Sequence, residues 1–278
     1  IGISVYNGSM TSYRYPNEEI ILMLTLGGLF VVLLLTAGLT VCLVPLLVGV
    51  MVVLAYYMNR SHHQTLLQQA TLVGMENAPQ LARLVEGCRR RLRTGPVQTF
   101  VAPQRALNAY TFGFSSPQVV VLFQPLLRVM DADELRFIVG HELGHVGLGH
   151  AWLNTLLGGM AGVPLPFGAA VVVTLAFRWW NRACEFSADR AGMLACGKPE
   201  KAISALVKLV TGGISSQAEM DRALQVIEAE DDSPLHVLTE SLSTHPMLVK
   251  RIDQIRQYAA DPQYRRLLAQ IEAQNQGA

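Results

Sequence analysis

The stretch that decides the fold is His141-Glu-Leu-Gly-His-Val-Gly-Leu-Gly-His150, whose first five residues have the pattern H-E-x-x-H. Residues four apart lie on one face of a helix, so His141 and His145 can present two imidazole nitrogens to a single metal ion. Glu142 lies about 100° further round the helix, where it can reach a water beside the metal without binding the metal. The same pattern also occurs by chance on solvated helices, so the rest of the chain must distinguish a zinc hydrolase from a solvated surface.

The residues before the motif predict where its helix begins. Asp131 and Glu134 have the spacing of a capping box, and Asp133 adds negative charge to the first turn, where the helix dipole favours it. We therefore expect a helix that begins near Ala132 and continues through the motif.

The rest of the chain outside its apolar stretches is predicted to be helical, apart from one small sheet. A helix with Pro79 in its first turn should end at Thr94, and apolar periodicity predicts helices at 199–210, 216–229, 246–259 and 261–273. Short segments rich in β-branched and aromatic residues predict strands at 97–101, 107–114 and 118–123. The expected fold class is therefore mainly α with a small β-sheet.

A third zinc ligand is expected on a second helix. Catalytic zinc keeps one position open for water, and a carboxylate commonly completes a pair of histidines. Glu185 is the candidate, because it follows the motif after an apolar connection that can bring two helices side by side. Asp189 lies one turn further along, where it can accept the second N–H of a ligand histidine. His150 is not expected to bind the metal, because its spacing of nine residues from His141 places it on the opposite helix face.

The composition predicts that part of the chain lies in a membrane. The sequence is 51% hydrophobic and 15% charged, against roughly 25% charge in ordinary soluble domains. The run 20–59 contains no charged residue, and its central residues 36–40 divide it into arms of about 16 to 19 residues, each just long enough to cross a bilayer. We expect a transmembrane helical hairpin at 20–59, with a single kinked helix as the alternative.

The hairpin divides the chain into three predicted parts: a tail at 1–19, the hairpin at 20–59 and a peptidase domain at 60–278. Residues 61–74 are expected to continue as a helix that leaves the membrane. Arg14 and Arg60 flank the hairpin, which favours a cytoplasmic location for both of its ends.

A second uncharged stretch, 151–177, is predicted to dip into the membrane and return. Its centre, Val163-Pro-Leu-Pro-Phe-Gly168, breaks it into arms shorter than a bilayer, and ligands on either side of it must share one face of the membrane. The returning helix is expected to begin near Arg178, with Trp179 and Trp180 as interfacial anchors. The alternative is a buried apolar helix pair inside a soluble domain.

Together these features resemble the M48-type gluzincins, membrane-associated zinc metallopeptidases that include the bacterial heat-shock membrane protease and the CaaX prenyl endopeptidase. The resemblance covers the H-E-x-x-H motif with His150, the Glu185 and Asp189 pair, Asn108-Ala-Tyr-Thr-Phe-Gly113 and Thr244-His-Pro246. It implies a zincin-like metallopeptidase domain. It also implies that Asn108 and Ala109 lie on an edge strand that pairs with an extended substrate.

His245 has three interpretations. It lies in a predicted loop just before a helix that Pro246 can start. It is either a surface residue, a donor to the oxyanion of the reaction, or a reversible fourth metal ligand. The resemblance favours a loop near the metal, so His245 is included with Glu142 and Asp189 among the candidate catalytic residues.

The predicted function is that of a membrane-bound zinc endopeptidase with one Zn²⁺ per chain. The ion is expected to be held by His141, His145 and Glu185 and to activate a water, with Glu142 moving its proton to the leaving amine. The expected substrates are unfolded or membrane-associated polypeptides in extended form, as in protein quality control. The alternative is a catalytically silent, zinc-binding membrane scaffold or chaperone.

The expected location is the bacterial inner membrane, with the peptidase domain facing the cytoplasm. The lipid bilayer and the polypeptide substrate are the predicted partners, while the oligomeric state is left open. A formal net charge of +1 provides no basic field for nucleic acid.

Overall fold

The computed structural model describes residues 13–39, 43–113, 116–151, 168–212, 216–230 and 248–276. Within them the chain is mostly helical with one small mixed sheet, which confirms the coarse fold class. The helices are α1 (Glu18–Leu39), α2 (Leu43–Gln69), α3 (Pro79–Leu92), α4 (Leu126–Val129), α5 (Ala132–Gly147), α6 (Gly168–Cys196), α7 (Pro199–Thr211), α8 (Gln217–Glu230), α9 (Leu248–Ala260) and α10 (Pro262–Gln276). The strands are β1 (Thr71–Leu72), β2 (Val97–Ala102), β3 (Ala109–Phe112) and β4 (Gln118–Phe123).

The sheet has the strand order β1-β2-β4-β3, so β3 lies at one edge. The central strands β2 and β4 are parallel, and both outer strands are antiparallel to their neighbours. Alternate side chains of β4 point to opposite faces. Val120 and Leu122 belong to the main core with α3 and α5, whereas Val121 packs with Leu66 of α2 on the other face.

The predicted strands are confirmed, but β3 is shorter than the segment 107–114, and β1 was not predicted. Residues 61–74 were expected to be helical, whereas α2 ends at Gln69 and the chain then turns into a strand. Thr71 pairs with Val101 and Leu72 with Phe100. A strand of two residues owes its existence to the neighbouring strand, so the local sequence pattern does not reveal it.

The helix through the motif begins at Ala132, as predicted. Asp131 accepts hydrogen bonds from the backbone N–H groups of Asp133 and Glu134, and the Glu134 side chain accepts one from the Asp131 backbone. This capping box satisfies donors that a helix end otherwise leaves open. The resulting helix α5 is buried along most of its length, and its neighbours include α3, α6 and α7.

The helices α5 and α6 cross at glycines, which allows an unusually close approach. A Cβ atom added to Gly140 would lie 2.4 Å from the Ala195 Cβ, and one added to Gly144 would lie 2.7 Å from the Ala191 Cβ. Both distances are far below an ordinary contact between carbon atoms. Each glycine directly precedes a motif histidine. The backbones therefore come closest at the same two turns that carry His141 and His145.

The helix α6 begins at Gly168, well before Arg178, where the returning helix was expected to start. The prediction for Trp180 is also wrong, because its side chain is buried beside Ile21 of α1 and Cys184 of α6. Trp180 therefore forms part of the contact between α1 and α6. Residues 152–167 lie outside the described residues, so the dipping hairpin at 151–177 stays a prediction.

The helix α1 is the one helix in the described part of the chain that is long and apolar enough to cross a membrane. Its apolar stretch runs over Glu18–Gly38, of which 11% is buried. α2 packs against α1, but the predicted turn between the two arms includes residues 40–42, which lie outside the described residues. By length and composition α1 is therefore one candidate span, and the transmembrane hairpin stays a prediction.

Candidate metal centre

The side chains of His141, His145 and Glu185 meet between α5 and α6. The Nε2 atoms of the two histidines are 3.2 Å apart, and each lies 3.5 Å from an oxygen of Glu185. Two ligands at about 2 Å from one tetrahedral zinc ion are separated by about 3.3 Å. The three side chains therefore have the chemistry and the spacing of zinc ligands.

The cluster is buried on the histidine side and opens towards solvent on the Glu185 side. The side chains of His141 and His145 are 11% and 8% exposed, whereas that of Glu185 is 34% exposed. Within the described ranges, this cluster offers three ligands to one ion. Three protein ligands with an accessible side are typical of catalytic zinc, whereas structural zinc is closed by four.

The outer nitrogen of His141 is held by Asp189 and Arg251. Asp189 Oδ1 lies 2.9 Å from His141 Nδ1, the geometry of a carboxylate that accepts the second imidazole N–H. Arg251 of α9 donates to both oxygens of Asp189, from Nη2 at 2.6 Å and Nε at 2.8 Å. Its Nη1 also lies 3.2 Å from Glu185 Oε2. One guanidinium thus pairs with the candidate ligand and with the residue that orients another ligand.

Charge pairing keeps both acids ionised, although Asp189 is fully buried and Glu185 is partly buried. Burial alone would raise the pKa of the Glu185 and Asp189 carboxyls, but the Arg251 charge and the neighbouring histidines hold both pKa values well below their usual range. Burial likewise opposes the charge on Arg251, but the two carboxylates outweigh it and raise the pKa of the guanidinium. Glu185 is therefore a carboxylate, the form that binds metal.

The outer nitrogen of His145 contacts a different set of groups. His145 Nδ1 lies 3.0 Å from His150 Nδ1, and His150 Nε2 lies 2.9 Å from Glu18 Oε1 at the start of α1. Burial lowers the pKa of His150, although Glu18 opposes this. His150 thus lies outside the three-residue cluster, in agreement with its exclusion as a ligand. It nevertheless contacts a candidate ligand, which the helix geometry did not predict because α5 ends at Gly147, before His150.

Glu142 is buried beside the edge strand β3. The Thr111 hydroxyl lies 2.7 Å from Glu142 Oε2 and donates to it. This bond fixes one oxygen of the candidate general base and connects it to the strand that carries the predicted substrate residues. Sequence reasoning missed Thr111, because nothing in its local pattern distinguishes it from other strand threonines.

Asn108 and Ala109 lie at the beginning of this edge strand. The Asn108 carbonyl accepts a hydrogen bond from the Phe123 N–H of β4 at 3.0 Å. Alternate residues of an antiparallel strand direct their backbone groups to opposite sides, so the Ala109 N–H and C=O face the open edge. The Ala109 N–H meets the Asn108 Oδ1 at 2.9 Å. The pairing of an extended substrate with this edge stays a prediction.

One predicted site residue is not described by the structure, and one residue of the site was not predicted. His245 falls in 231–247, outside the described residues, so its three interpretations remain open. Arg251, by contrast, was missed although the sequence holds a signal for it. It lies among the buried Leu248, Ile252 and Ile255 of α9, and a charged residue within an apolar stripe needs a buried partner.

Sequence comparisons relate the chain to known peptidases. A profile of peptidase family M48 matches residues 76–259. Plastoglobule-localized metallopeptidase 48 of Arabidopsis thaliana, a chloroplast protein, is 33% identical over 178 residues, which cover 58% of this chain and 51% of that protein. The protease HtpX homologue of Gemmatimonas aurantiaca is 26% identical over 69% of this chain and 80% of its own length. That of Pyrococcus furiosus is 25% identical over 69% of this chain and 78% of its own length. The matched stretch thus spans about half of the chloroplast relative and about four fifths of the two HtpX homologues.

Proposed function

Because the chain belongs to peptidase family M48, we propose that it is a membrane-bound zinc endopeptidase with one Zn²⁺ held by His141, His145 and Glu185. The observation that carries the proposal is the spacing of 3.2–3.5 Å among the three donor atoms. The accessible side of the cluster supports catalysis over a structural site. It also argues against the alternative of a silent zinc-binding scaffold or chaperone, which has no use for an open position.

The protein side chains divide the reaction between them. A bound zinc ion would supply Lewis-acid chemistry, polarising the peptide carbonyl and making water more acidic. Glu142 takes a proton from the attacking water and passes it to the leaving amine, with Thr111 holding one of its oxygens in place. Asp189 orients His141, and Arg251 keeps Asp189 and Glu185 ionised.

The proposed substrate is a polypeptide in extended form, either unfolded or associated with the membrane, as in protein quality control. The open edge at Asn108 and Ala109 supports this, because backbone hydrogen bonds to a strand require an unfolded segment and read little of its sequence. The connection from Thr111 of the same strand to Glu142 brings that edge to the reacting groups.

The proposed location is the inner membrane, with α1 and α2 as a helical hairpin at 20–59 and the peptidase domain at 60–278 facing the cytoplasm. Large apolar side chains on both helices are exposed, and an apolar surface of this extent is suited to lipid and not to water. They are Ile20, Met23, Leu24, Phe30, Leu34 and Leu35 on α1, and Leu46, Val53, Leu54, Tyr57 and Met58 on α2. We retain the dipping hairpin at 151–177 as part of the same proposal.

The test is casein cleavage by the full chain purified in detergent, together with zinc analysis of each variant. A chelator should abolish cleavage by the wild type, and added zinc should restore it. Glu142→Gln should keep near-stoichiometric zinc and lose most activity, because Glu142 acts on water and does not bind the metal. Glu185→Ala should lose zinc and activity together. Full activity in Glu142→Gln, or unchanged zinc in Glu185→Ala, would remove the respective assignment, and tightly bound zinc without any cleavage would favour the scaffold.

We propose that His245 acts at the open side of the zinc, where it would either raise or lower the turnover of the enzyme. As an oxyanion donor it contributes to turnover, and His245→Ala should lower turnover by about a hundredfold, as for single oxyanion donors elsewhere. As a reversible fourth ligand it blocks the site, and the same change should raise activity while weakening zinc retention slightly. Wild-type turnover together with wild-type zinc affinity would return His245 to the surface.

A further inference from the structure

We propose that Glu18 and His150 form a relay of hydrogen bonds that fixes the metal-binding tautomer of His145, so that the first turn of α1 is part of the metal centre. The inference rests on the proposed function, because it takes His145 as a zinc ligand. It assigns a positioning role to an acidic residue on the candidate membrane helix, far along the chain from the motif.

The proton positions in the relay follow from the chemistry of its end. An ionised carboxylate only accepts hydrogen bonds, so the contact of 2.9 Å between Glu18 Oε1 and His150 Nε2 places a proton on Nε2. The Nδ1 atom of neutral His150 then has a lone pair and accepts. Across the contact of 3.0 Å, His145 Nδ1 must therefore donate. That leaves the lone pair of His145 on Nε2, the atom that faces His141 and Glu185.

The carboxylate of Glu18 is held in a built site and is not a solvated helix end. The residue is 2% exposed. Its Oε1 also pairs with Arg14 at 3.1 Å, and its Oε2 accepts from the Ser187 hydroxyl of α6. A buried carboxylate is costly unless its oxygens are satisfied, so these partners give Glu18 one fixed orientation, with Oε1 towards His150.

The segment before α1 is fastened to the same two helices that carry the metal ligands. Arg14 Nη2 donates to the Leu148 carbonyl at 3.2 Å, just beyond α5. The Tyr15 N–H donates to the Ser187 hydroxyl at 2.8 Å, and Arg190 Nη1 donates to the Arg14 carbonyl at 3.2 Å. Because these bonds act on both α5 and α6, displacement of this segment would withdraw Glu18 from His150.

A second metal ion is the competing explanation for this cluster. Glu18, His150 and Cys184 offer donor atoms within 4.8 Å of one another, and all three residues are buried. However, both oxygens of Glu18 and both nitrogens of His150 already have hydrogen-bond partners. An ion would have to replace those bonds, so the geometry favours the relay.

The test measures zinc affinity of the full chain in detergent by competition with a chromophoric chelator. Loss of an outer partner of a ligand histidine typically weakens metal binding by about 10–100-fold, and Glu18→Leu and His150→Leu should both do so. His150→Asn should recover most of the affinity, because an amide oxygen can still accept near the position of Nδ1. That recovery separates a positioning role from a packing role even where the Glu18 variant folds poorly.

Two control variants complete the experiment. Glu134→Gln removes another buried carboxylate, at the capped start of α5, and should leave zinc affinity at its wild-type value. Cys184→Ala should also leave it unchanged, with one zinc per chain. Two ions in the wild type and one in Cys184→Ala would replace the relay by a second metal site.

The outcomes also separate the relay from the proposed function. If the wild type binds zinc and cleaves casein while folded Glu18→Leu and His150→Leu bind zinc like the wild type, the relay alone is overturned. If the wild type binds no zinc, or Glu185→Ala retains it, the proposed metal site itself is wrong.

Discussion

His141 and His145 lie one helical turn apart and face the same candidate metal position, yet their outer nitrogens are held in different ways. His141 Nδ1 contacts Asp189, a carboxylate that is paired with Arg251. His145 Nδ1 contacts a second imidazole, that of His150, and His150 in turn contacts the Glu18 carboxylate. We call Asp189 and Arg251 the His141 half, and His150 and Glu18 the His145 half. The His141 half lies on α6 and α9, whereas the His145 half depends on the packing of α1 against α6. One half is braced by charge inside the peptidase domain, and the other by the junction with the candidate membrane helix.

The largest expected effect comes from Asp189→Asn, which disrupts the half braced by charge. The change leaves Arg251 without its bidentate partner, and removal of one partner of a buried ion pair costs roughly 3–5 kcal/mol. The amide also has one oxygen in place of two, so His141 and Arg251 compete for a single acceptor, and zinc affinity should fall by about 10–100-fold. Thermal denaturation and chelator competition measure the two effects. Asp253→Asn is the matched control, because Asp253 lies on α9 in an exposed pair with Arg256, and such pairs contribute little.

The same variant tests whether the two halves are independent. Asp189→Asn combined with Glu18→Leu should lose zinc binding energy equal to the sum of the single losses, to within about 0.5 kcal/mol, as expected for sites without shared partners. A clear departure from additivity would mean that the two halves are energetically coupled, so that they could not be treated as independent supports of the metal ligands.

Gly144→Ala should have the next largest effect, because it separates the helices at the turn of His145. The added Cβ would meet Ala191 Cβ at 2.7 Å and the Ala188 backbone at 3.1 Å. Overpacking of this kind costs about 1–3 kcal/mol, and the movement of α6 should weaken zinc binding as well. Gly87→Ala, within α3, meets nothing within 4 Å and should instead stabilise the protein by about 0.5–1 kcal/mol. Equal melting temperatures for the two variants would contradict the close crossing.

Thr111→Val removes the hydrogen bond to Glu142, the proposed general base, which belongs to neither half. Loss of a hydrogen bond to a charged group costs roughly 1.5–3 kcal/mol, so turnover should fall by about tenfold or somewhat more, with zinc affinity unchanged. Thr99→Val is the control, since the buried Thr99 hydroxyl of β2 has no hydrogen-bond partner among the described residues. A change in zinc affinity in Thr111→Val would mean that β3 also braces the metal ligands.

The smallest effect concerns the contact between α2 and β3, away from both halves. The His63 ring stacks on Phe112 at 3.8 Å, and burial, together with the neighbouring His62, lowers the pKa of His63 to about 4. The unfolded chain, with a pKa of about 6.5, binds the proton more readily, so this site stabilises the fold above pH 6.5 and loses that contribution as the pH falls towards 4. His63→Phe keeps the stacking and should reduce the acid destabilisation, measured as melting temperature against pH.

Metal-free protein should be used for that comparison, because acid also protonates the ligand histidines. His62→Phe is the control and should reduce the pH dependence only slightly, because burial is the larger cause of the lowered pKa of His63. Parallel curves for His63→Phe and the wild type would show that His63 does not titrate in this range.

The sequence predicted features that depend on local spacing and missed those that depend on docking. The capping box at Asp131 predicted the start of α5, helical spacing selected His141 and His145, and position after the apolar connection selected Glu185. Glu18 was missed, because nothing near it in sequence indicates a partner 132 residues away. Trp180 was assigned to the membrane interface, since its contact with α1 is tertiary. Arg251 was within reach, because its place in an apolar stripe already required a buried acid.

The position of Glu18 in the chain gives the assembly of this protein an order in time. Glu18 leaves the ribosome 132 residues ahead of His150 and 169 ahead of Ser187. Contacts between such distant residues form late, because the intervening loop must be closed before any contact rewards it. Glu18, at the start of α1, can contact His150 and Ser187 only after α5 and α6 have been made. We therefore expect tight zinc binding only after both ligand helices are complete, so that a partly synthesised chain has no peptidase activity.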